Sequence, residues 1–170
     1  MNFRVIALAS CVALGSIALG GKAQAQSVDV VFNGVVGPVC SVAKVTPGVL
    51  RVATAPANLS VLTSTVAQSA GASSGSFELT CSAGANILLN VPTVLATSVA
   101  AASTANYGGN LNDGSTLLAG ANKGGPNMGI SVVGPVTNKV YTVNHFVNNG
   151  AAPLPNGKYD YKVNLFVTAQ

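Results

Sequence analysis

Apolar side chains fall on every second position along the closing run YDYKVNLFVTAQ. Tyr159, Tyr161, Val163, Leu165, Val167 and Ala169 share one face, and Asp160, Lys162, Asn164, Thr168 and Gln170 the other, broken only by Phe166. Period two predicts a β-strand with one buried face. No Gly or Pro interrupts the run, which predicts one continuous strand. Such a strand needs a covered face and a paired edge, within its own molecule or from another chain.

The same alternation recurs upstream. Ser27 to Val36 reads SVDVVFNGVV, with Val28, Val30 and Phe32 on one face and Ser27, Asp29 and Asn33 opposite. Val39 to Val45 surrounds a cysteine, and Gly48 to Ala53 is a short apolar run between prolines. Ser76 to Ser82 (SFELTCS) sets Phe77, Leu79 and Cys81 against Glu78 and Thr80. Asn86 to Val91, Gly129 to Val133 and Val140 to Val147 complete the predicted strands. Turn residues separate them at short intervals, as in an all-β sandwich. The alanines of 96–105 are diluted by Thr, Ser and Val, so a long helix is not expected there. Residues 103–128 are rich in Gly, Asn and Ser and read as long loops with one hairpin.

The opening residues change the picture of where this happens. Arg4, the apolar stretch Val5–Leu19 and Ala23-Gln24-Ala25 have the order of a secretory signal peptide, predicted over 1–25, leaving a single domain over 26–170. Cys11 lies inside the apolar stretch and would be removed with it. The two remaining cysteines, Cys40 and Cys81, form an even count in an exported chain and predict a disulfide. Only 7% of the chain is charged. Beyond residue 25 the basic residues are Lys44, Arg51, Lys123, Lys139, Lys158 and Lys162, and the acids Asp29, Glu78, Asp113 and Asp160. They are scattered, with no nucleic-acid footprint. An exported chain this poor in charge is expected to be either embedded in something or shielded by partners. No apolar run after residue 25 is long enough to span a bilayer as a helix.

Little in the sequence could carry chemistry. His145 is the one histidine, in a strand-like run, and reads as a hydrogen-bonding strand residue without a second histidine to share a metal. The acids are scattered, and no nucleophile elbow or phosphate-binding loop appears. No catalytic, metal or cofactor site is therefore expected, and an enzyme is not. Tyr107, Tyr141 and Phe146 are the aromatic residues that could offer a sugar platform.

Three segments together resemble a pilin subunit of the chaperone–usher route, in its archaic, spore-coat-protein-U-like branch. They are SVDVVFNGVVGPVCSVA at 27–43, FELTCSAGANILLNV at 77–91 and LPNGKYDYKVNLFVTAQ at 154–170. The penultimate residue departs from the pattern: Ala169 stands where many such subunits carry an aromatic. The N-terminal extension is also short.

The resemblance implies an immunoglobulin-like sandwich that is incomplete and is closed by a strand donated from another subunit. It implies Val28, Val30, Phe32 and Val36 as the donor side chains. Gly157, Tyr159, Tyr161, Val163, Leu165, Val167 and Ala169 would form the acceptor groove and chaperone contact. The implied partners are a periplasmic chaperone, an outer-membrane usher and identical or related subunits in a surface fibre. The alternative is a self-complete, monomeric exported sandwich in which residues 27–36 pair within their own molecule.

Overall fold

The computed structural model describes residues 37–54 and 57–170. The predicted signal peptide and the donor residues Val28, Val30, Phe32 and Val36 lie outside the described residues. The described chain is an all-β sandwich of antiparallel sheets. Its elements run β1 (Cys40–Thr46), β2 (Arg51–Thr54), β3 (Ala57–Thr63), β4 (Gly75–Cys81), β5 (Ala85–Leu89), β6 (Thr93–Val94), α1 (Ala101–Thr104), β7 (Asn106–Asp113), β8 (Thr116–Asn122), β9 (Met128–Val132), β10 (Val136–Asn148), β11 (Tyr161–Lys162) and β12 (Leu165–Ala169).

The long strand β10 organises the larger sheet. One edge pairs first with β4 (Val136–Val143) and then with β3 (Phe146–Asn148), and the other edge pairs with β7. β1 extends the sheet beyond β4, β2 beyond β3 and β8 beyond β7. The smaller sheet has the order β12-β5-β9, and β11 pairs with β6 alongside it. Between the sheets lie Phe77, Leu79, Ile87, Leu89, Leu111 and Tyr141, with Leu79, Ile87, Leu89 and Leu111 wholly buried. These side chains are the inward half of the alternation in β4, β5, β7 and β10. A second cluster gathers Leu62, Ala105 and Val147.

The disulfide is present: Cys40 and Cys81 face each other across the first strand pair with Cα atoms 4.1 Å apart. The Ser82 N–H donates to Val39 O, so Val39–Ser82 is a hydrogen-bonded pair. Cys40–Cys81 is therefore a non-hydrogen-bonded pair, the closer of the two kinds.

Two expectations need correction, and one, the absence of a long helix at 96–105, holds. The stretch 103–128 is not mainly loop. Residues 106–122 form the β7–β8 hairpin, turned at Gly114-Ser115, where Gly114 takes φ +57. Its NYGGNLND strand has low β-propensity, but β10 supplies a ladder from Asn106 to Asn112. The helical alanines yield only α1, a single turn whose last carbonyls accept from Lys123 Nζ at 2.6–3.1 Å.

The terminal run is also not one continuous strand. It breaks at Val163-Asn164, because its partner does. Between the pairs Leu165–Leu89 and Lys162–Thr93 the partner strand carries one extra residue, a bulge that includes Pro92. Proline has no N–H for the ladder, so pairing lapses there and resumes one register on.

Candidate functional site

The terminal run keeps its face through the break. Tyr159, Tyr161, Val163, Leu165, Val167 and Ala169 are all half-buried; none reaches full burial, although β5 beside them is buried at Ala85, Ile87 and Leu89. The reason lies at the edge of the small sheet. β12 pairs with β5 and, among the described residues, with nothing else.

The Asn90 N–H donates to Asn164 O and the Gln170 N–H to Gly84 O, so the even-numbered residues of β12 carry the ladder to β5. Antiparallel pairing then turns the peptide groups of Leu165, Val167 and Ala169 toward the open edge. In these three residues the backbone lacks a strand partner among the described residues, and the side chain lacks full cover.

Across from this edge stands β1, whose own outer edge is likewise unpaired among the described residues. Cys40 and Val42 face inward, yet Val42 is 47% exposed. Lys44 takes φ 48 and shifts the register between Ala43 and Thr46, and Val45 follows at 73% exposed. The chain then passes Pro47 and returns through the Val49–Ser73 bridge. Gly48 is required here: a Cβ would lie 2.8 Å from the Gly75 nitrogen and from Ser73 O.

Between β1 and the terminal run opens a cleft of about 550 Å³. One wall is Val45 to Leu50, the other Tyr159, Tyr161, Val163 and Leu165, and the floor is Phe77, Val143 and His145. The cleft thus collects four of the seven expected acceptor residues. Val167 and Ala169 continue the same face beyond it, and Gly157 sits in the preceding turn at φ 149, packed so closely on Val99 that no side chain would fit.

Most of the lining residues are apolar, with Thr46, Ser64, Ser76, His145 and Asp160 the polar ones. His145 is 8% exposed, and its ring lies 4.4 Å from that of Tyr161. Its backbone is bonded on both sides to Ser64: the His145 N–H donates to Ser64 Oγ at 2.8 Å, and the Ser64 N–H to His145 O at 3.0 Å. The expectation of a hydrogen-bonding strand residue holds for this backbone. Both ring nitrogens are buried without a partner among the described residues. Burial lowers the imidazole pKa to about 4, and the nearby Gly108 backbone, short of a hydrogen bond, only partly opposes this. The ring is therefore neutral at neutral pH.

Tyr161 donates its hydroxyl to Ala102 O at 2.8 Å, and burial pushes its pKa up to about 12. Asp160 is held below the usual carboxylate range by Lys158 and by the Thr97 hydroxyl. No group of three metal-ligating side chains comes together among the described residues.

Sequence reasoning found the wall made by the terminal run but missed the wall made by Val45–Leu50, which depends on a bulge and a loop. No protein-family model matches the chain, and no curated protein or solved structure matches it either.

Proposed function

We propose that the chain is a structural subunit of a surface fibre, an immunoglobulin-like sandwich completed by a strand from another copy. The observation that carries this reading is the open edge of β12. There Leu165, Val167 and Ala169 lack both a backbone partner and full side-chain cover among the described residues, opposite an equally open β1. An extended segment laid along that edge would satisfy the peptide groups and seat apolar side chains in the cleft in one step.

Residues 26–36 are the proposed occupant. Their alternation offers Val28, Val30, Phe32 and Val36 on one face. Each apolar side chain fully buried contributes about 1.5–3 kcal/mol. Donor and acceptor surfaces differ, so the contact is head-to-tail and propagates. On this reading a periplasmic chaperone covers the cleft during export, and an outer-membrane usher hands the subunit to the fibre at the cell surface.

Two charged substitutions test it. Val30→Asp or Phe32→Asp should abolish fibres on the cell surface by electron microscopy, while the rest of the domain still folds when a peptide of residues 26–36 is added. Unchanged fibres would overturn the donor assignment. A chain that is stable, soluble and monomeric without added peptide would instead favour the self-complete sandwich.

A further inference from the structure

The outer face of the larger sheet carries a feature the cleft does not use. Tyr141, His145 and Val147 are buried on the inner side of β10, so Thr142, Asn144, Phe146 and Asn148 lie on the outer side. The ladder sets Asn144 opposite Asn110, Asn148 opposite Asn106 and Thr142 opposite Asn112. One strand further, Asn122 stands opposite Gly108, itself opposite Phe146. Asparagines thus surround a single aromatic ring. Two glycines make the room: a Cβ at Gly108 would meet the Phe146 ring at 2.8 Å, and one at Gly120 would meet Asn110 Oδ1 at 2.8 Å.

Beside the ring is a depression of about 260 Å³ lined by Thr63, Gln68, Asn110, Asn144, Phe146 and Asn148, among others. It contains no Lys, Arg, Asp or Glu, and its one titratable neighbour, His145, is neutral. Three of the amides, Gln68, Asn144 and Asn148, are oriented by their oxygens. Asn144 Oδ1 accepts from the Ser74 and Ser64 hydroxyls, Gln68 Oε1 from Thr63 Oγ1 at 2.8 Å, and Asn148 Oδ1 from the Gly150 N–H at 2.8 Å. Their NH₂ groups have no protein partner among the described residues.

The depression therefore presents tethered amide donors next to an apolar ring, without charge. A charged ligand would find no counter-charge there, and a wholly apolar one would cover the amide donors without bonding them. A neutral molecule with many hydroxyl acceptors and one C–H face matches both parts. We propose that the outer face of β10 and β7 binds a neutral carbohydrate, with Gln68, Asn110, Asn144 and Asn148 as donors and Phe146 as the platform. The volume lies just below the roughly 300–1,000 Å³ of whole small-molecule pockets, which suits one sugar unit.

The test uses the exported chain and saturation-transfer NMR with the methyl glycosides of glucose, galactose, mannose and N-acetylglucosamine, and N-acetylneuraminic acid as a charged control. At least one neutral glycoside should bind with millimolar affinity, and the acid should not. Asn110→Ala combined with Asn148→Ala should weaken that binding at least about tenfold. Neither amide is in the core, so far-UV circular dichroism should be unchanged; Asn110→Ser is the milder variant if it is not. Failure of all four glycosides to bind at high millimolar concentration overturns the proposal. So does binding that survives the paired substitution, or equal binding of the acid.

Discussion

The two lateral seams of the sandwich are built from different residues. At one, β8 approaches β9. There Ala119 and Ala121 are buried, and Leu118, Ile130 and Val132 pack onto the core. Small side chains let the sheets close on each other. At the other seam β1 faces β12, and both strands turn branched side chains inward: Val42, Val163, Leu165 and Val167, with Val45 at the rim. They do not close the gap, and a cleft remains. The difference lies chiefly on β8, whose buried inward residues are alanines, whereas β1 and β12 present branched side chains to each other.

The disulfide should produce the largest difference between the seams. It ties β1 to β4 and closes a loop with a sequence separation of 41. Replacing both cysteines by serine should lower stability by about 4 kcal/mol in the chain-entropy model. Urea unfolding measures the loss. Hydrogen exchange should localise it, with β1 amides losing protection and those of β8 and β9 keeping theirs until global unfolding. A uniform loss across both seams would mean that the bridge does not hold the open side specifically.

Leu111 lies wholly buried on β7, away from the cleft. Leu111→Ala should cost about 3 kcal/mol, within the range for leucine truncation in a packed core. The cost should be the same with and without a peptide of residues 26–36. A peptide-dependent cost would show that the closed side feels the open one.

These contrasts also show what the sequence could reveal. Strands β4, β5 and β10, and the facing of the terminal run, follow from strict alternation around Phe77, Leu79, Ile87, Leu89, Tyr141 and Leu165. The disulfide followed from two cysteines and a presumed compartment. The β7–β8 hairpin was hidden because Gly108, Gly109 and three asparagines leave β7 almost no apolar signal; its place is fixed by Phe146 and Asn122 packing where a side chain would otherwise stand. The break in the terminal run was hidden because its cause, Pro92, lies in another segment. The wall Val45–Leu50 and the position of His145 in the floor depend on a bulge and on cross-sheet neighbours, which no local pattern encodes.

His145 makes the open seam sensitive to acid. Its pKa falls from an ordinary 6.5 to about 4 on folding, because burial disfavours the imidazolium. A lowered histidine pKa means that the unfolded chain takes up the proton first. Its contribution is intact above about pH 6.5 and is lost as pH falls toward 4, levelling off below. Between pH 7.5 and 4.5 wild type should lose about 2 kcal/mol more than His145→Phe. Parallel pH profiles for the two proteins would exclude this role.

The finest comparison lies within one strand. Val167 points inward from β12, half-buried, and its neighbour Phe166 points outward at 60% exposed. Without a complementing strand, Val167→Ala should cost under about 1 kcal/mol, since the side chain is only partly removed from water. With the peptide of residues 26–36 bound, the side chain should be covered on both sides, and the same change should cost about 1 kcal/mol more. Phe166→Ala should stay within about 0.5 kcal/mol in both states, because its side of the strand does not face the cleft. Thermal unfolding of the two variants, with and without peptide, gives the interaction energy directly. A coupling that appears at Phe166 and not at Val167 would place the incoming segment on the outer face of the small sheet.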